Sequence, residues 1–178
     1  HRGMSGRFPE NTLLAFDAVR HEGLRWVETD ISMLADETLI VFHDEAQGRT
    51  VDDDKLVADA NWQDFQDADA GVWKGEQFLG QKVLRLATLI SWAEVHDMTL
   101  ILEMKCHGNR EYRSAELLAS ALWKRPKANT ITGQPTRLPL SPSVTGTGPV
   151  PVLRTNPAST SPISAMKRPI PTEIAIFS

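Results

Sequence analysis

Proline is spread so unevenly along this 178-residue chain that its two parts cannot fold by the same rules. Only Pro9 of the eleven prolines precedes residue 125. The others, from Pro126 to Pro171, recur too often for a helix or a central strand of ordinary length, because each fixes φ and removes a backbone donor. Charge divides at the same place. Residues 1–124 carry 13 Lys+Arg against 22 Asp+Glu and residues 125–178 carry 6 against 1, so the overall net charge of -4 describes neither part. Residues 1–124 are therefore expected to hold the folded domain, and residues 125–178 to be an irregular tail, disordered or out of frame.

Several function classes drop out on composition. The cations of residues 125–178 are scattered and their only aromatic is Phe177, so the tail lacks the stacking platforms and dense charge of a nucleic-acid arm. Cys106 stands alone, which excludes an intramolecular disulfide framework. No apolar run approaches the roughly 20 residues of a membrane span, and no signal peptide is evident. The chain begins at His1 rather than Met and is expected to be incomplete at its start.

Within the first part, Glu10 to Glu22 reads as an amphipathic helix, with Leu13, Leu14, Phe16, Ala18 and Val19 near helical spacing and Gly23 as a stop. Arg25 to Ile31 and Thr38 to Phe42 read as short strands separated by the polar turn Ala35-Asp36-Glu37. Residues 47–80 form a turn-rich excursion expected to pack through Trp62, Phe65, Trp73 and Phe78. Leu86 to His96 predicts a second helix, Thr99 to Met104 a strand, and Glu111 to Lys124 a third helix with Tyr112, Ala115, Leu118, Ala119 and Leu122 on its packed side. Strands alternating with helices predict β/α units and a parallel sheet.

The chemistry lies in a few polar residues. Glu28 and Asp30 are two apart on a strand, so the pleat points both carboxylates to one face. With Glu103 they make a hard-oxygen set suited to Mg²⁺ or Ca²⁺, with positions left for phosphate oxygens and water. His1 and His43 can take or give a proton near neutral pH. Arg2 and Lys105 can bind a phosphodiester anion, the first by a fork of donors and the second as a point charge. Each residue alone has a bland alternative: Glu-x-Asp as a solvated face, His43-Asp44 as a turn, Asn11 as a helix N-cap, Arg2 and Lys105 as surface cations. His21, His96, His107 and the acidic run Asp52 to Asp54 are given that reading, the two helix-end histidines because a cation meets the dipole there. Joint placement at the ends of successive strands lifts the rest above it. No Ser or Cys nucleophile motif is present, so attack would come from a substrate hydroxyl or from water.

As an ordered set, His1-Arg2-Gly3, Pro9-Glu10-Asn11-Thr12, Glu28-x-Asp30, His43-Asp44 and Glu103-x-Lys105 resemble the glycerophosphodiester phosphodiesterases. Asn61-Trp62-Gln63-Asp64 through Asp69-Ala70-Gly71-x-Trp73 is similar to their cytoplasmic bacterial members. The resemblance runs from His1 to about Lys124. It implies a TIM-type (β/α)8 barrel that hydrolyses glycerophosphodiesters to an alcohol and glycerol 3-phosphate with a divalent cation, in the cytoplasm. It also implies roles: His1 and His43 as the acid/base pair, Glu28, Asp30 and Glu103 as metal ligands, Arg2 and Lys105 at the phosphate, and Glu10 and Asn11 in support. Such a barrel takes about 250 residues, whereas the matching region supplies the end of a first strand and about three more. The expectation is an incomplete barrel. Two other outcomes stay open: an inactive fragment that retains cation or phosphate binding, and a phospholipase D-like relative acting on lysophospholipids or sphingomyelin.

Overall fold

The computed structural model describes residues 1–123 and the backbone of residues 130–133. Its frame is a five-stranded sheet: β1 (Trp26–Met33), β2 (Leu39–Val41), β3 (Leu84–Arg85), β4 (Thr99–Lys105) and β5 (Thr130–Gly133), in the spatial order β3-β2-β1-β4-β5. The helices of four residues or more are α1 (Leu13–His21), α2 (Trp62–Phe65), α3 (Leu86–His96) and α4 (Glu111–Trp123). The sheet is mixed rather than parallel. β1 pairs in parallel with β4, and β4 with β5, but β2 pairs antiparallel with both β1 and β3. The cause is the connection after β1. Glu37 takes φ +65° and its N–H donates to Leu34 O at 3.1 Å, closing a tight hairpin, whereas a parallel return needs a crossover of a dozen residues.

The alternation along β4 sorts the two faces of the sheet. Leu100, Leu102 and Met104 are buried, while Thr99, Ile101, Glu103 and Lys105 on the opposite face are half-buried. The apolar face joins Val27 and Ile31 of β1 to Phe16 and Val19 of α1, Leu89, Ile90 and Ala93 of α3, and Leu118 of α4 in one core. Burying one such side chain fully contributes roughly 1.5–3 kcal/mol, so this face supplies much of the drive to fold. The other face, free of that helical layer, carries the carboxylates.

Capping explains where α1 begins. Thr12 is the N-cap, accepting from Ala15 N at 3.3 Å and donating to Pro9 O at 2.8 Å, while Asn11 adopts φ +59° outside the helix. Asn11 is therefore released from capping. On α4 Leu118 is buried and Leu122 packs against the same core, as predicted, but Tyr112, Ala115 and Ala119 face solvent and Ser114 is buried, so the packed side is shifted toward Ser114.

A second core forms under the excursion from Leu34, Ile40, Phe42, Val51, Val57, Ala60, Phe65, Ala70 and Val83. Of the four rings expected to pack there, only Phe65 is fully buried, edge-on to Phe42 at 5.3 Å. The excursion is held by polar staples. Asp69 accepts from the N–H groups of Gly71, Val72 and Gly80, and Arg110 donates to the carbonyls of Met33, Leu34 and Ala58 at 3.1–3.2 Å. Strand β5 falls inside the segment expected to be irregular, where Thr130-Ile131-Thr132 supplies a β-branched run between prolines. Residues 124–129 and 134–178, with the rest of the tail expectation, lie outside the described residues.

The turn before α1 depends on one glycine. Gly3 sits at φ +73°, and a Cβ there would lie 2.8 Å from the Ala15 side chain, while a Cβ at Gly6 would meet nothing within 4 Å. Gly3→Ala is expected to destabilise by about 1–3 kcal/mol through overpacking and left-handed strain, and Gly6→Ala to have little effect. Urea midpoints of the two variants check this; equal shifts would contradict it.

Candidate active site

Strand register assembles the acidic cluster. Asp30 and Glu103 are direct neighbours across the parallel β1–β4 pair, and Glu28 lies two residues before Asp30 on the same face. One carboxylate oxygen from each of the three falls within 4.8 Å of the others. Asp30 is fully buried. Its Oδ2 accepts from Asn11 Nδ2 at 3.1 Å and lies 3.0 Å from Arg2 Nε; its Oδ1 lies 3.3 Å from Lys105 Nζ but makes no hydrogen bond of good geometry. Lys105 instead donates to Glu103 Oε1 at 2.5 Å. A buried carboxylate oxygen left without a hydrogen bond, flanked by two more carboxylates, is a donor set that fits a hard cation.

The loop 1–12 wraps this cluster with strained backbone. Arg2 and Asn11 both have positive φ, +54° and +59°, which non-glycine residues rarely adopt. The conformation lets Arg2 reach three acids at once: its N–H donates to Glu28 Oε2 at 2.9 Å, its Nη1 to Glu10 Oε1 at 3.0 Å, and its Nε approaches Asp30. Asn11 bridges by accepting from Thr29 Oγ1 at 2.8 Å while it donates to Asp30. His1 is mostly exposed, with Nε2 3.9 Å from Glu28 Oε2.

His43, just past β2, is held through residues that the sequence reading did not assign. Its Nδ1 lies 2.6 Å from Asp44 Oδ1. Arg49 donates to both Asp44 oxygens at 2.6 and 3.0 Å and to both Glu10 oxygens at 2.6 and 2.9 Å. All nine predicted residues thus belong to one contact network, His1–Glu28–Arg2–Glu10–Arg49–Asp44–His43, with Asp30, Asn11, Glu103 and Lys105 joined through Arg2. Two of the links are Asp44 and Arg49. Asp44 was visible as part of the His-Asp pair; Arg49 had no signal beyond being a cation in a polar loop. His107 also turns toward this face, with Nε2 3.5 Å from Ser32 Oγ, and burial pushes its imidazole below the ordinary value.

The acids divide by environment. Burial pushes the Glu28 carboxyl up, the Arg2 N–H partly offsets this, and the neighbouring Asp30 and Glu103 charges add to the rise. Burial also acts on Glu10 and Asp44, but Arg49 with Arg2 on the first, and Arg49 with His43 on the second, outweigh it and hold both carboxyls below their ordinary range.

A family model, the glycerophosphoryl diester phosphodiesterase family, matches residues 1–127. A glycerophosphodiester phosphodiesterase of Caldanaerobacter subterraneus subsp. tengcongensis is 32% identical over 105 residues, 59% of this chain and 43% of that protein. Among solved structures, a phosphodiesterase of Oleispira antarctica in complex with the product sn-glycerol-3-phosphate is similar with a TM-score of 0.71 and 29% identity, over 75% of this chain and 55% of that one. A glycerophosphodiester phosphodiesterase from Agrobacterium tumefaciens gives 0.65 and 27%, over 76% and 56%. The chain spans about half the length of the relatives it matches. No helix among the described residues is long and apolar enough to cross a membrane.

The opposed shifts give a prediction with a sign. With its folded value above the ordinary 4.5, Glu28 favours the folded state in acid and weakens it as pH rises through the carboxylate range. Glu10 and Asp44, held below 4.5 and 3.8, stabilise above those values and lose that contribution as pH falls through their folded values. In chelator at pH 7, Glu28→Gln is expected to raise the urea midpoint and Glu10→Gln to lower it. Midpoints moving the same way would contradict the assignment.

Proposed function

Because the chain belongs to the glycerophosphoryl diester phosphodiesterase family, we propose that it hydrolyses glycerophosphodiesters to an alcohol and glycerol 3-phosphate, through the site built on Asp30. The observation that carries this reading is the cluster of Glu28, Asp30 and Glu103 on one sheet face, with Arg2 and Lys105 as its flanking cations. These three carboxylates would hold a divalent cation, Mg²⁺ or Ca²⁺. When bound, such a cation neutralises charge developing on the phosphoryl group and orients the substrate.

The rest of the chemistry belongs to the chain. Arg2 and Lys105 attract the phosphodiester anion to the carboxylate face and keep that face from repelling it. Glu10 fixes one arm of the Arg2 guanidinium and Asn11 braces Asp30, so neither need reorganise as substrate arrives. His43 has its Nδ1 committed to Asp44, which leaves Nε2 to exchange a proton. His1 is the second imidazole of the pair. One takes the proton of the attacking water as its oxygen bonds to phosphorus; where a substrate hydroxyl attacks first, water then opens the cyclic phosphodiester so formed to give glycerol 3-phosphate. The other gives a proton to the departing alcohol oxygen as the P–O bond breaks. The sheet is read as part of a (β/α)8 barrel, with residues 1–123 and strand β5 as its described part. The small-molecule substrate calls for no nucleic acid and no membrane span, and a cytoplasmic setting is carried over from the sequence resemblance and the single cysteine.

The same cluster supports one second reading, a chain that binds cation or phosphate without turnover. Glycerol 3-phosphate release from glycerophosphocholine separates the two. The expected result is chelator-sensitive turnover that falls about 10²–10⁴-fold in His43→Ala; absence of turnover beside an active full-length relative would support the binding-only reading. Lys105→Met provides a further test. Lys105 competes for Asp30 and Glu103, so its loss is expected to keep or raise cation affinity while turnover falls. Loss of cation binding in this variant would contradict the role given to Lys105.

A further inference from the structure

We propose that Arg49 is a positioning residue that sets His43 and Arg2 in one register, acting through Asp44 on the first and through Glu10 on the second. The proposal rests on the phosphodiesterase reading of the site. Arg49 comes from the loop after β2, yet its planar fork spans two carboxylates from separate segments of the chain. Nε and Nη2 engage Asp44, and Nη1 and Nη2 engage Glu10. Lysine, a point charge with three rotatable donors, cannot reproduce that two-sided geometry.

The consequence for His43 follows from the occupancy of Asp44. Asp44 Oδ2 receives Arg49 Nε at 2.6 Å, and Oδ1 receives both Arg49 Nη2 at 3.0 Å and the His43 ring at 2.6 Å. A carboxylate held ionised by a guanidinium can only accept, so His43 must present Nδ1–H to it, and the ring is fixed in the tautomer whose Nε2 is free. Asp44 and His43 are adjacent in sequence in a loop, so nothing in the backbone alone would keep this contact. On the other side the same guanidinium holds Glu10, which holds the Nη1 arm of Arg2. Trp73 covers Arg49, its ring centroid 5.6 Å from the guanidinium carbon, and Lys74 ties that segment to Ser5 O at 2.7 Å. The excursion thereby presses on the joint between the two site loops.

An ordinary exposed ion pair would add little to stability and would not alter the tautomer of a histidine. The test therefore reads the imidazole directly, by nitrogen-15 NMR of the full 178-residue chain in chelator. Wild type is expected to show His43 in the Nδ1–H form with a downfield, slowly exchanging proton. Arg49→Gln and Arg49→Lys are expected to lose that proton signal and to show mixed tautomers, with urea midpoints lowered because Glu10 and Asp44 lose the guanidinium that offsets their burial, more in Arg49→Gln than in Arg49→Lys. Should Arg49→Gln fail to fold, Arg49→Lys carries the same readout. Where turnover is measurable, kcat is expected to fall about 100-fold, the scale of a misplaced catalytic group, with KM changed only a few-fold. A His43 spectrum unchanged in both variants would overturn the proposal. Absence of turnover in wild type would count against the phosphodiesterase reading alone, because the spectrum decides the role of Arg49 by itself.

Discussion

A carboxylate with no access to water organises this protein. Asp30 is wholly buried in the middle of β1, and an unpaired charge there would cost several kcal/mol. Its neighbours answer that demand. Arg2, Lys105 and Asn11 each bring a donor group within 3.3 Å of one of its oxygens. Lys105 comes from the regular strand β4, but the other two come from a loop whose shape is otherwise costly. Arg2 and Asn11 sit in left-handed conformations, and Gly3 and Thr12 beside them fix the turn and the helix start that hold them there. The local strain of loop 1–12 is thus offset by the charge it neutralises on the sheet.

The site also draws on a division of labour between the sheet faces. The helix-packed face buries aliphatic side chains and fixes the β1–β4 register, and that register places Glu103 beside Asp30. The carboxylate set consequently depends on two adjacent strands and one loop, all within residues 1–123. The histidine side is built differently. It hangs on the chain of ion pairs from Arg2 through Glu10 and Arg49 to Asp44, which joins loops rather than strands. Rigid strands hold the charges, and a lateral network joins His43 to Arg2.

Much of this was legible in the residues. A spacing of two on a β-branched strand put Glu28 and Asp30 on one face, and α3 runs over the Leu86–His96 span that its periodicity predicts. The features that escaped are those fixed by long-range contact. Arg49 gives no local sign that it will span Glu10 and Asp44. Thr12 outcompetes Asn11 as the cap because Asn11 is drawn away to Asp30 and Thr29. On α4 Leu118 packs as its spacing predicts, but Ser114 is buried in place of Tyr112, its hydroxyl donating to Met33 Sδ at 3.6 Å. The antiparallel β2 was within reach, since three turn residues cannot make a crossover, but strand–helix alternation obscured it.

On the proposed function, Glu28, Asp30 and Glu103 act together as one cation site around the buried Asp30. Calorimetric titration of the metal-free chain with Mg²⁺ and with Ca²⁺, repeated on Glu28→Gln, Asp30→Asn and Glu103→Gln, tests it most directly. One ion per chain is expected in the wild type, with affinity weakened in every variant and most in Asp30→Asn. Binding that survives all three substitutions unchanged would contradict it.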